Sequence, residues 1–450
     1  MDLIIKSEDK TCKKKYFRRR KDVIISHLLY GREIDDSNFS TRRNDEEFSP
    51  FTLVVPINLC QKLNRSDTSS VANNASIVSQ NPDRYGFLGG DQYTHESEPN
   101  PPAQVIRRRE LKWLNMLSTW DHYMRRDFKT VRSRCRKGIP RSVRGRAWFY
   151  LCGATYLQKK SPTLFSDLLR QEGKQQCIED IRKDVHRQFP LHEIFTEEGH
   201  GQEDLFRVLK AYSIYNADEG YCQAHAPIAA TLLMHMPAED AFWCLQAICD
   251  KYLKGYYSPG MSALKLDGDI LFGLLKRVAP SVYKHLKKQK IEPVLYMTEW
   301  FLCAFTRTLP WSTVLRVWDM FLCEGVKVLF RVALVVLKYT LGRSEILKRC
   351  PTMYETLPML KSLPNFVTHE QFLVFQIGRL DITDDQMRKE HLKQILKQKK
   401  LRQHELAQEK KKEAARATED AKSRGAERFG NNRHADERTD VNNDIEQTEL

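Results

Sequence analysis

Ile181-Arg182-Lys183-Asp184-Val185-His186-Arg187-Gln188-Phe189-Pro190 opens the stretch that decides the reading of this chain, and Gly220-Tyr221-Cys222-Gln223 closes it. Ile181, Val185 and Phe189 recur at a spacing of four, the seam of an amphipathic helix. Pro190 disfavours the helical region at Phe189, so the spacing predicts a helix that stops there. Arg187 then falls in the last turn, where a cation suits the helix dipole and can reach past the helix end. Asp184, three residues earlier, lies on a neighbouring face and can hold the guanidinium. Read alone, Asp184 and Arg187 are a helix-face ion pair worth roughly 0.2–0.5 kcal/mol. Gln223 alone is a solvated glutamine ahead of an apolar helix.

Outward from this stretch the same period recurs. Trp113, Met116, Leu117, Trp120 and Tyr123 step by three and four, with Leu114 widening the stripe, and predict a lead helix over 106–137 that docks on the core. Gly138-Ile139-Pro140 turns the chain, and Ser142 is placed to cap the next helix. Ala224 to Met236 is small and apolar, with Pro227 in a first turn where proline is tolerated, and reads as a central buried helix. That leaves Gln223 at its exposed entrance. Phe242-Trp243 and Leu266-Asp267-Gly268-Asp269-Ile270 start further helices. Tyr296 to Phe305, Val314 to Phe321 and Val326 to Leu341 follow, the last a buried helix because Lys327, Arg331 and Lys338 interrupt it too often for a membrane span. Alternating strand runs joined by Asn-Gly or Asp-Gly hairpins are missing. The expected fold is all-α.

The ends read differently. Residues 1–105 are rich in Ser, Asn, Asp and Arg and read as mostly disordered. Within them, Lys13 to Lys21 is a basic run with two aromatics that suits an anionic membrane surface or a nuclear signal, or is a solvated tail. Residues 343–382 extend the core. Thr383-Asp384-Asp385-Gln386 is a capping box that opens a charged, solvated helix to about Arg428. The tail 429–450 ends Gln447-Thr448-Glu449-Leu450. Thr448 and Leu450 are what a PDZ groove takes, the peptide adding a strand while the terminal aliphatic side chain fills a pocket; a chance ending stays open beside it.

Three ordered motifs raise the central pair above the ordinary. Gly138-Ile139-Pro140 with Arg144 and Trp148, then Ile181 with Asp184 and Arg187, then Gly220-Tyr221 with Gln223 resemble the TBC domain of proteins that activate Rab GTPases, over residues 138–342. The resemblance implies a multi-helix, two-lobed core and a dual-finger mechanism. Arg187 and Gln223 would be the catalytic pair, inserted into the active site of a bound GTP-state Rab, with Asp184, Tyr221, Arg144 and Trp148 supporting. Trp148 reads as core, and Arg144 as a buried structural arginine like its family counterpart. Asp83-Arg84-Tyr85-Gly86-Phe87-Leu88-Gly89-Gly90 is similar to a patch ahead of the domain in one TBC subgroup, which also tends to end in a PDZ ligand.

The chemistry suits the reading. Phosphoryl transfer needs charge neutralised on the transferred group and a water held in line. A guanidinium is forked and permanently charged, and a carboxamide offers acceptor and donors while staying neutral. No G-x4-G-K-[ST] occurs, so the chain is expected to need no cofactor of its own: GTP and Mg²⁺ belong to the partner. No zinc spacing is present, and Cys222 with His225 lacks the organised base and oxyanion donors of a thiol protease. The net charge of +15 collects largely between Arg107 and Lys137, without a zinc-finger or RNA-binding signature, so nucleic acid is not expected as a partner. Eleven cysteines without a C-x2-C pair, and a polar, basic start, place the chain in the reducing cytosol, with recruitment to plasma or vesicle membranes as a further expectation. The competing function is a non-catalytic GTPase-binding scaffold tethered through a PDZ adaptor.

Overall fold

A computed structural model describes residues 81–89, 101–196 and 199–436. The basic run at Lys13 to Lys21 and the terminal Thr448 and Leu450 lie outside the described residues. Among these residues the chain is all helical. The closest approach to a sheet is a single antiparallel bridge, Phe87 to His192.

The lead segment is three helices: α1 (Ala103–Ser118), α2 (Trp120–Arg126) and α3 (Phe128–Lys137). One continuous lead helix was expected. It breaks because the Ser118 and Thr119 hydroxyls both donate to the Asn115 carbonyl, taking the acceptor that the next turn needs. Trp113, Met116, Leu117 and Trp120 are buried as the period requires, whereas Leu114 is 42% exposed and does not widen the stripe.

Next come α4 (Arg141–Cys152), α5 (Ala154–Lys160), α6 (Leu164–Arg170), α7 (Gln175–Val185), a 3-10 turn (Glu193–Phe195) and α8 (Gly201–Tyr215). Ser142 does not cap α4. Its hydroxyl donates to Glu110 of α1, and Pro140 stands at the cap position instead. The chain continues through α9 (His225–Leu233) and α10 (Ala238–Ala247). After a π turn come α11 (Ser262–Val278), α12 (Pro280–Lys288), α13 (Val294–Leu302), α14 (Trp311–Glu324) and α15 (Lys327–Leu341). Phe242-Trp243 and Asp267-Gly268 sit inside α10 and α11 and do not start them.

The short helices α16 (Ser344–Arg349), α17 (Met353–Lys361), α18 (Asn365–Thr368) and α19 (Glu370–Arg379) complete the packed region. Residues through Glu390 form one compact unit and those from His391 a second. The last helix, α20 (Asp384–Asp436), opens with the capping box expected: Thr383 N–H donates to Gln386 Oε1 at 3.0 Å, and Gln386 N–H to Thr383 Oγ1 at 3.3 Å. It passes the expected end near Arg428.

Two helices organise the first unit. α8 packs on α6, α7, α9 and α10, while α14 packs on α3, α4, α15 and α19. Every residue of α9 is buried, and in α14 only Arg316 escapes burial. Helices whose residues are buried on every face are covered on all sides, which fixes α9 and α14 in the interior.

Candidate functional site

Phe189 adopts φ +45°, a left-handed conformation rare for a bulky residue and outside the extended region to which the following proline inclines it. The helix unwinds ahead of it. α7 ends at Val185, so Arg187 stands two residues beyond the helix, in a turn, and not in its last turn as expected. The Asp184 carbonyl accepts from the Arg187 amide at 3.3 Å and from the buried Gln188 side chain at 3.1 Å. These bonds satisfy a carbonyl that the helix end would otherwise orphan.

Beyond the helix, Arg187 is held by one carboxylate. Asp184 Oδ1 accepts from Arg187 Nε at 2.8 Å and also from Nη2. The guanidinium side chain is 49% exposed, while that of Asp184 is 11% exposed. The second Asp184 oxygen accepts from the Tyr221 hydroxyl at 2.6 Å. Burial and the Asp184 carboxylate push the Tyr221 phenol far above its usual range, so it stays a donor. One carboxylate thus joins residues separated by more than thirty positions.

Tyr221 follows Gly220, whose φ of +64° suits glycine and turns the chain toward α9. Gln223 is exposed one residue before the α9 cap, with Ala224 and His225 already buried. The Gln223 carbonyl accepts from the Ala226 amide at 3.3 Å, so its backbone is fixed while its carboxamide faces solvent. His225 supplies a further anchor: its Nδ1 accepts from the Cys222 amide at 3.1 Å. Burial pushes its pKa down to about 3, which keeps the ring neutral and able to accept. The ring lies 4.3 Å from that of Tyr257 and 4.9 Å from that of Tyr212. Burial raises the Cys222 thiol, the reverse of what a thiolate nucleophile needs.

Arg144 and Trp148 are elsewhere. Both are buried and meet Asp319 of α14, which is fully buried. Asp319 Oδ1 accepts from Trp148 Nε1 at 2.8 Å and Arg144 Nε at 3.3 Å, and Oδ2 from the Ile139 amide at 2.7 Å. Arg144 Nη2 also donates to the Ile139 carbonyl at 2.6 Å. Burial raises the Asp319 carboxyl and Arg144 opposes the shift. The first motif is therefore a staple between α4 and α14. The sequence alone does not reveal the role of Asp319, because its partners lie 171 to 180 positions away and leave no local signal.

Comparison with known proteins gives the family. The Rab-GTPase-TBC domain matches residues 141–347. TBC1 domain family member whacked of Drosophila melanogaster is 53% identical over 321 residues, covering 71% of this chain and 88% of that protein. The chain belongs to the Rab-GTPase-TBC domain family. TBC1 domain family member 10B of Mus musculus is 54% identical over 340 residues, which is 75% of this chain but 43% of the mouse protein. Mouse TBC1 domain family member 10A is 55% identical over 314 residues, 70% of this chain and 63% of that one. The chain thus spans less than two thirds of these two mouse relatives. Among solved structures, the Chlamydomonas flagellar RabGAP TBC domain aligns with a TM-score of 0.51 and 26% identity, covering 67% of this chain and all of the other. In this TBC chain no helix among the described residues is long and apolar enough to cross a membrane.

Proposed function

We propose that this chain is a GTPase-activating protein for one or more Rab GTPases, acting by lending Arg187 and Gln223 to the partner's nucleotide pocket. The observation that supports this most directly is the shared carboxylate. Asp184 takes the Arg187 guanidinium on one oxygen and the Tyr221 hydroxyl on the other, so the cation and the turn that leads to Gln223 rest on one support. Arg187 is half exposed and Gln223 exposed, while Asp184 and His225 behind them are buried and Tyr221 is partly buried.

The division of labour follows from the two side chains. Arg187 supplies permanent charge in a fork that matches phosphate oxygens. Gln223 accepts and donates through one neutral group, which suits holding a water without adding charge. Both act on GTP and Mg²⁺ carried by the partner, so catalysis is completed in trans. A role in vesicle trafficking, recruitment to plasma or vesicle membranes and a PDZ-domain adaptor belong to the same proposal. Their sequence carriers, Lys13 to Lys21 and Thr448 with Leu450, lie outside the described residues.

Single-turnover GTP hydrolysis over a panel of GTP-loaded Rabs tests the reading. At least one Rab should be accelerated, and Gln223→Ala should slow that Rab while leaving its binding close to normal. Binding without acceleration across the panel would turn the conclusion to a scaffold.

A further inference from the structure

Residues 83–89 lie across the turn that carries Arg187. Asp83 Oδ1 accepts from the amides of Tyr85 at 2.8 Å and Phe87 at 2.9 Å, which closes the segment on itself. Its backbone then pairs with the chain just beyond Arg187. Leu88 N–H donates to the Leu191 carbonyl at 2.7 Å, and Glu193 N–H donates to the Gly86 carbonyl at 2.8 Å. The close fit depends on Gly86, with φ +98°, because a Cβ there would stand 2.6 Å from His192 Nε2. That nitrogen lies 3.0 Å from the Tyr85 carbonyl, while Nδ1 accepts from the Ile194 amide at 3.3 Å, an assignment only a neutral ring satisfies. Burial pushes the His192 pKa down to about 4, in keeping with it.

Phe87 completes the contact. It is 2% exposed, with ring centroids 4.9 Å from His192, 5.3 Å from Trp311 and 6.2 Å from Phe189. Trp311 is the first residue of buried α14. Phe189 stands two residues after Arg187 in its left-handed conformation, 5.5 Å from Trp311. A bulky residue holds such a conformation only where its surroundings over-determine it. Phe87 is one of those walls.

We infer that residues 83–89 are a strap that sets the Arg187 turn, with Phe87 a positioning residue for the guanidinium. The inference rests on the finger reading proposed above. The strap lies outside the matched domain, residues 141–347. Catalytic geometry in this chain therefore depends on a segment that precedes that domain.

The test uses the full chain and a GTP-loaded Rab that responds to it. Phe87→Ala should lower the maximal single-turnover rate roughly 10- to 100-fold, the scale of about 1 Å of misplacement. The concentration giving half-maximal rate should hold within about twofold, because only the transition-state contact is lost. Phe87→Leu should restore most of the rate. In an Arg187→Ala background, Phe87→Ala should remove less than about twofold more, as residues acting through one group do. Amide exchange over residues 186–193 should quicken in Phe87→Ala. A normal maximal rate for Phe87→Ala, or an equal loss in both backgrounds, overturns the strap. If Phe87→Ala does not fold, Gly86→Ala replaces it in the same comparison and is judged by the same outcomes. Arg187→Ala with no loss would remove the finger reading and the strap with it. A slow Arg187→Ala beside a normal Phe87→Ala removes the strap alone.

Discussion

Replacing Arg187 by alanine should separate two magnitudes that usually move together. In the unbound protein the guanidinium makes a half-exposed pair with Asp184, and pairs of this spacing contribute roughly 0.2–0.5 kcal/mol. Asp184 keeps the Tyr221 hydroxyl after the change, so its carboxylate is not stranded. The stability loss should therefore stay near or below about 1 kcal/mol. The catalytic loss should be far larger. An arginine finger supplied in trans is worth on the order of 10³–10⁵ in rate, or roughly 4–7 kcal/mol of barrier. Urea midpoints give the first quantity and single-turnover hydrolysis on a responsive Rab gives the second. Arg187→Lys should recover little of the rate, because an ammonium is a point charge without the fork. A rate loss below about tenfold would refute the assignment. So would a loss fully explained by the fraction of unfolded protein.

Asp319→Ala should destabilise the fold by roughly 3–5 kcal/mol, because it leaves the buried Arg144 charge without its carboxylate. The pair Arg144→Met with Asp319→Leu should recover part of that loss, and urea unfolding of the single and double variants decides between the outcomes. Acid should weaken the fold in a defined window. His192 and His225 titrate at about 4 and about 3 in the folded chain, each lowered by burial, against near 6.5 when unfolded. Above pH 6.5 both states are neutral and the histidines contribute no pH dependence. As pH falls from 6.5 the unfolded chain takes up protons first, so each histidine removes up to about 1.4 kcal/mol per pH unit until its folded pKa is reached. His192→Gln should flatten the slope of urea midpoints between pH 6.5 and 5, and an unchanged slope would count against the burial argument.

Helical period was readable because each buried face repeats within its own segment. The apolar runs at Ala224 to Met236 and Val326 to Leu341 became α9 and α15 for that reason. Ends were harder. The α7 boundary depends on Phe189 turning left-handed, and the break after α1 on two hydroxyls competing for one carbonyl. Arg187, Gln223, Asp184 and Tyr221 were picked out by motif, but the carboxylate that joins them belongs to the tertiary fold. Asp319 and Phe87 were invisible as partners for the same reason: each meets groups distant in sequence. The segment around Phe87 falls in a region whose polar composition reads as mostly disordered, and its resemblance to a TBC-subgroup patch carries no contact information. Its order comes from His192, Trp311 and Phe189.

The berth that Asp184 gives Arg187 bears on how the guanidinium would be used. Its rotamers are already narrowed before any nucleotide arrives, so docking exchanges one anion for another and does not arrest a free side chain, whose freezing costs up to about 2 kcal/mol. Were Arg187 to serve a transferred phosphate, the carboxylate would be at hand to reclaim the cation once that phosphate departs. Resetting for the next turnover then requires only a side-chain swing, with no refolding of the turn.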